Sequence, residues 1–220
     1  MKKSAKALLL SLCAVLLVVA SVMGTLAYLT STDEVKNTFT VGSVAISLDE
    51  AKVKTDGTVV ENADRVQANE YHLLPGHTYT KDPTIHIDDK SETAYLYVKL
   101  EVKDNADLKT LLNKYGIDDD FWTLLTGSTF ADWSAMNVTG YNDGSGNYLL
   151  TYKTTIDGTT ADIKLFDSIT VPTQFTNEDL ARLNEFAINV TAYAIQADGF
   201  DTAADAWAAA GSSFTAADGE

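Results

Sequence analysis

The stretch Tyr95-Leu96-Tyr97-Val98-Lys99-Leu100-Glu101-Val102 decides the fold class. Leu96, Val98, Leu100 and Val102 fall on one parity; Tyr95, Tyr97, Lys99 and Glu101 fall on the other. Successive side chains of an extended chain point to opposite faces, so this alternation gives one apolar face and one more polar face. The spacing predicts a β-strand whose four aliphatic residues lie between two sheets, with Lys99 and Glu101 outward. A one-residue slip would invert the pattern, so the register is strongly specified.

The flanking sequence repeats the theme. Residues 37–48 read as strand, with Phe39 and Val41 on one parity and Val44, Ile46 and Leu48 on the other; the switch at Gly42-Ser43 marks a bulge or a bend. Residues 50–70 are polar and turn at Asp56-Gly57. Pro75-Gly76 is a further turn, and Pro83 fits only an edge or the start of a strand. Residues 136–141 and 148–156 flank Asn142-Asp143-Gly144-Ser145-Gly146-Asn147, a hairpin loop by composition. Residues 186–195 form another long strand, with Phe186, Ile188, Val190, Ala192 and Ala194 on one parity. Helical spacing is rarer. Leu108, Leu111, Leu112 and Tyr115 follow i, i+3, i+4, i+7, with Asp104 as cap and Gly116 as stop. Shorter helices are predicted over residues 176–183 and 202–210, the latter ended by Gly211. Many short strands joined by turns, with helices that do not alternate with them, predict a mainly β protein. The expected form is an antiparallel β-sandwich with a few short helices.

The chain has 220 residues, 45% apolar and 21% charged, which suits one globular domain with an appended segment. Its 31 acidic and 16 basic side chains give a net charge of −15. Nucleic-acid binding is disfavoured, because phosphates need a cationic surface to displace their counterions. The single cysteine, Cys13, rules out a disulfide framework within the chain and thiolate zinc sites.

The N-terminus carries the three parts of a secretory signal peptide: Lys2, Lys3 and Lys6, then an apolar run to Leu26, then small residues near Ala27. Thr25 and Ala27 would precede the cut, which places cleavage between Ala27 and Tyr28. The competing reading is an uncleaved membrane anchor, since the run approaches the ~20 residues a spanning helix needs. Contact with the membrane is expected only through this segment. Its removal takes away three lysines and no acid, leaving 193 residues with 13 basic and 31 acidic side chains, a net charge of −18. The resulting division is a helical signal peptide over 1–27, a free segment over 28–36 and a sandwich domain over 37–220.

Catalytic signatures are weak. His72, His77 and His86 could join Glu70 or Asp88 in a zinc site, but no H-E-x-x-H helix places two imidazoles on one face. The loop 142–147 offers oxygen donors but lacks the terminal bidentate glutamate of a calcium loop. No G-x-S-x-G elbow or glycine-rich phosphate loop occurs. No cofactor, catalytic residue or metal ligand is assigned.

One resemblance is broader. The run Gly24-Thr25-Leu26-Ala27-Tyr28-Leu29-Thr30-Ser31-Thr32-Asp33, then Asn37-Thr38-Phe39-Thr40-Val41-Gly42, resembles the TasA/CalY/camelysin family of exported Gram-positive proteins. The likeness continues through Leu74-Pro75-Gly76, Lys81-Asp82-Pro83, Leu165-Phe166-Asp167 and Val171-Pro172. It closes with Ala192-Tyr193-Ala194-Ile195-Gln196-Ala197-Asp198-Gly199-Phe200 and Ala206-Trp207. It implies a jelly-roll sandwich, secretion, maturation by a dedicated ER-type signal peptidase, and self-assembly into homopolymeric biofilm-matrix or cell-surface fibres, with an accessory or anchoring matrix protein as a further partner. It implies that an N-terminal segment freed by cleavage becomes a strand of the next subunit. Here that segment is Tyr28, Leu29, Thr30, Ser31, Thr32, Asp33, Glu34, Val35 and Lys36. Camelysin-type relatives are also classed as cell-surface metallopeptidases, which is one alternative; a secreted surface protein that does not polymerise is the other.

A physical argument runs in parallel. Residues 28–37 precede the first core strand and have no obvious partner within their own sandwich. A free strand can add to a neighbour's sheet edge through main-chain hydrogen bonds, and head-to-tail contacts of that kind propagate. The competing reading is a disordered tail.

Overall fold

The fold is built around the strand with which the sequence was read. The computed structural model describes residues 16, 30–33, 44–118, 121–183 and 185–217. In chain order the strands are β1 (Thr30–Asp33), β2 (Ile46–Asp49), β3 (Thr78–Thr80), β4 (Thr84–Ile87), β5 (Ala94–Val102) and β6 (Leu125–Thr126). They continue with β7 (Trp133–Ala135), β8 (Asn147–Tyr152), β9 (Ile163–Lys164), β10 (Ser168–Thr170) and β11 (Ile188–Gln196). The helices are α1 (Asn105–Lys114), α2 (Asn177–Leu180) and α3 (Ala203–Ala217). The protein is mainly β, with antiparallel pairing and few helices. One sheet has the order β1-β11-β5-β8-β7; two smaller sheets run β3-β10-β6 and β2-β4-β9.

β5 lies in the centre of the large sheet. It pairs with β11 at nine positions, from Ala94↔Gln196 to Val102↔Ile188, and with β8 from Tyr97↔Thr151 to Glu101↔Asn147. Leu96, Val98, Leu100 and Val102 are buried, as the alternation predicts, and Lys99 and Glu101 are not. The aliphatic face packs with Ile46 of β2, Ile85 of β4, Ile169 of β10 and with Leu165 and Phe166 to form the main core. Leu108, Leu111 and Leu112 of α1 join the same cluster.

The opposite face is not simply solvated. Tyr97, on the same parity as Lys99 and Glu101, is fully buried with Leu149, Tyr193 and Ile195 beneath α3. Trp207 of α3 stacks 5.0 Å from the Tyr97 ring and meets Tyr193 edge-on at 5.7 Å. The Tyr97 hydroxyl donates to the Ala203 carbonyl at 2.6 Å, so the ring is buried without an orphaned polar atom. Alternation alone cannot distinguish a tyrosine facing water from one facing a helix supplied a hundred residues later.

Three further expectations change. α3 continues through Gly211 to Ala217 instead of ending at the glycine. Glycine costs a helix about 1 kcal/mol relative to alanine, and its flanks here are rich in alanine. Thr202 starts this helix, its hydroxyl accepting from the Asp205 amide at 3.1 Å. Asp104 precedes α1 but does not cap it: its φ is 55° and its carboxylate accepts from the Glu185 amide at 2.9 Å instead. Residues 136–141 form turns, and the strand lies earlier, at Trp133–Ala135. Met136 N still donates to the Leu149 carbonyl at 2.9 Å, and beyond it the side-chain amide of Asn142 donates to the Met136 and Leu149 carbonyls at 2.9 and 3.0 Å, closing the turn.

The helix expected over residues 176–183 is shorter, Asn177–Leu180, and the strand expected over 148–156 is Asn147–Tyr152; other local signals are realised. Gly116 has φ 66° and ends α1, with Ile117 N donating to the Leu112 carbonyl at 3.0 Å. Pro83 immediately precedes β4. In α2, Thr176 and Asp179 form a reciprocal capping box. The Asp179 carboxylate also takes Lys114 at 2.7 Å and the Tyr115 hydroxyl at 2.6 Å, which ties α1 to α2. The strand expected before Val44, with Phe39, Val41 and the Gly42-Ser43 switch, lies outside the described residues, as does the N-terminal signal segment apart from one position.

Candidate functional site

β11 is bonded to β5 along its whole length on one side. On its other side β1 pairs with part of it, and no other strand among the described residues pairs there. The pairing is antiparallel and in the register Thr30↔Ile195, Ser31↔Ala194, Thr32↔Tyr193, Asp33↔Ala192. The N-terminal segment therefore has a partner within its own chain, contrary to the sequence reading. The physical reason is that β5 satisfies only one row of β11's main-chain groups, and the second row accepts any extended segment that reaches it. Of the nine residues read as a donor strand, Thr30, Ser31, Thr32 and Asp33 are those on the edge. Tyr28, Leu29, Glu34, Val35 and Lys36 lie outside the described residues, as does Ala27 of the cleavage position.

The first half of β11 adjoins a groove with a volume of about 1030 Å³. Ile188, Asn189, Val190 and Thr191 line one wall, with Lys99 and Glu101 of β5 beside them. Asn189 Nδ2 donates to Glu101 Oε2 at 3.2 Å. The facing wall is the segment from Gln67 to Leu74, with Leu48, Asp49 and Glu50 at the end of β2. The groove thus lies beside the first half of β11, next along the strand to the residues with which β1 pairs.

That facing wall is held by side chains. The Tyr79 hydroxyl donates to the His72 carbonyl and accepts from the Leu74 amide, both at 2.7 Å. The Tyr71 hydroxyl donates to the Thr80 carbonyl at 3.0 Å; burial, then the charge of Glu50, pushes its pKa up. Asn69 receives the Val53 amide and donates to the Ala51 carbonyl, each at 2.9 Å. Glu50, nearly buried, pairs with Lys81 at 3.0 Å. Arg65 binds Asp49 through Nε, reaches Asp82 Oδ2 at 3.0 Å and donates to Thr84 Oγ1 at 2.9 Å. Composition reads residues 50–70 as a polar loop; the signal for this anchor is Arg65, one of only two arginines in a strongly acidic chain.

The histidines do not converge on a metal. Both ring nitrogens of His86 meet carboxylates, Asp49 at 2.9 Å and Asp162 at 2.8 Å. His72 lies on the groove wall, and His77 sits 6.3 Å from the Tyr79 ring. Among the described residues no group of three or more His, Cys, Asp or Glu is arranged to hold a metal ion. In the loop 142–147, the Gly144 carbonyl accepts from Asn105 and Lys109, and Asp143 accepts from the Ser145 amide. Those oxygens serve the turn. Chemically, the site offers main-chain hydrogen bonding along an edge next to a shaped, mixed-polarity groove, which suits an extended polypeptide better than a small reacting molecule. Comparison of the chain with family models, with characterised proteins and with solved structures finds no match.

Proposed function

We propose that this chain is a secreted structural subunit of extracellular matrix or cell-surface fibres, and that its subunits join by exchange of the N-terminal strand. The observation that carries the reading is the pairing of β1 with the outer edge of β11. β1 is short, lies at the end of the sheet order and belongs to the segment that cleavage after Ala27 would free. Whatever main-chain bonds it makes within its own chain, the same segment of a neighbour can make in the same register. Exchange of an identical element therefore substitutes one set of bonds for another at little cost. Each subunit gives one strand and accepts one, so the contact does not close and a filament results.

On this reading the sandwich takes the jelly-roll form, residues 1–27 are the signal peptide, and a dedicated signal peptidase releases Tyr28 as the new N-terminus. Before cleavage the strand is tethered to the apolar segment and is confined to its own edge. After cleavage it is free to cross over. The mature charge of −18 keeps unassembled subunits apart at low salt. The test is electron microscopy of purified protein beginning at Tyr28. Filaments of uniform width are expected; only dispersed particles at every concentration would oppose the proposal.

A further inference from the structure

We propose that His86 is a pH-sensitive latch: while protonated it holds β9 and the chain leading into it against the β2–β4 pair, and on losing its proton it releases that edge. The inference does not depend on fibre assembly. β9 is two residues long; its ladder partner among the described residues is β4, through Thr84↔Lys164 and Ile85↔Ile163, and on the other side the Lys164 carbonyl accepts only the Thr129 hydroxyl, at 2.8 Å. So short an edge strand has little main-chain bonding of its own. His86 follows on β4, opposite Ser47 of β2. Its ring spans the sheet: Nε2 meets Asp49 Oδ1 of β2 at 2.9 Å, and Nδ1 meets Asp162 Oδ2, just before β9, at 2.8 Å.

A carboxylate can only accept a hydrogen bond, so both ring nitrogens must donate. Only the imidazolium does this; a neutral ring donates one proton and presents a lone pair to the other carboxylate. The two carboxylates are not equally able to lose the histidine. Asp49 is also held by Arg65, which is anchored on Asp82 and Thr84. The Asp162 side chain is 58% exposed and has no other hydrogen bond or ion pair among the described residues. Lys164, the charge on β9 itself, pairs with Asp167. Deprotonation therefore breaks the bond to Asp162, which can go into water, while Asp49 stays in place.

The pH direction follows. Burial pulls the His86 pKa down, but hydrogen bonds to Asp49 and Asp162 outweigh it and hold the group above its ordinary value. A raised folded-state pKa means that the contribution is complete below the unfolded value of about 6.5 and is lost as pH rises through the folded value. Asp49 sets the lower limit. Burial pushes its pKa up, but hydrogen bonds from Arg65 and His86 prevail and hold it below its ordinary value, so its share is present above the unfolded value and is lost as pH falls through the folded one. The latch is closed under mildly acidic conditions.

Amide hydrogen exchange on the full chain tests this, corrected for the intrinsic pH dependence of exchange. The reporters are Ile163 and Lys164 of β9 and the Leu165 amide, which donates to the Pro83 carbonyl at 2.9 Å. Their protection is expected to fall roughly three- to tenfold between about pH 5.5 and pH 8.5. In Asp162→Asn, whose exposed side chain leaves the core untouched, the fall should disappear. NMR titration of His86 should give a lower pKa in that variant than in the parent chain. An equal fall in Asp162→Asn, no fall in the parent, or a His86 pKa unmoved by the substitution would each overturn the latch.

Discussion

A mature chain shortened to begin at Asn37 is expected to stay folded and to lose filament formation altogether. The domain does not need β1 to hold β11, because β11 is bonded to β5 at nine positions and β5 is bonded to β8 on its far side. What truncation removes is the outer row of partners at Ala192, Tyr193, Ala194 and Ile195. Those main-chain groups then face water in the monomer, at a modest cost because water can satisfy them. Without a strand to give, no subunit can fill the edge of the next. Sedimentation should show a monomer with the circular dichroism of the parent, and microscopy should show no filaments. Filaments from the shortened form would mean that the segment is only a tail.

The second large effect concerns the core. Leu96→Ala and Leu100→Ala should each cost about 2–5 kcal/mol, since both side chains are fully buried in the central strand. For a domain of this size that lowers the thermal midpoint by roughly 2–4 °C for each kcal/mol. Lys99→Ala, on the other face and only half-buried, should cost less than about 1 kcal/mol, the range of substitutions outside the core. Urea midpoints at an unchanged slope would make the comparison. A Lys99 variant less stable than the Leu100 variant would mean that the strand's faces are assigned the wrong way round.

These two predictions draw on different depths of the sequence. The alternation in β5 is local and unusually regular, so the strand, its register and its buried face could be read directly. The same holds for α1, where leucine spacing and Gly116 agree. The burial of Tyr97 on the second face could not be read, because the partner that buries it, Trp207, lies on a helix more than a hundred residues away. A tyrosine suits either water or a helix face, and only tertiary packing chooses. The Asp104 cap failed for a related reason. Its carboxylate had a competing donor, the Glu185 amide, that no local pattern records.

The site was legible only in outline. Residues 28–36 stood out as an extended segment without a local partner, and the resemblance gave it a role. That Thr30, Ser31, Thr32 and Asp33 would pair with residues 192–195 of their own chain could not be read, because four polar residues specify no register by themselves. The adjoining groove was invisible. Its walls include residues 48–50, 67–74 and 187–191 with Lys99 and Glu101, and it exists only once Tyr79, Asn69 and Arg65 have fixed the loop against the sheets.

Disulfide trapping between subunits tests strand exchange most directly. The register places Ser31 opposite Ala194, and the single native cysteine, Cys13, belongs to the segment that the proposed cleavage would remove. Mature Ser31→Cys protein and mature Ala194→Cys protein would be mixed, allowed to assemble, oxidised and compared with the double variant. The account predicts a cross-link joining one subunit of each kind in the mixture. A bond confined to single chains of the double variant, with none between subunits in the mixture, would contradict it.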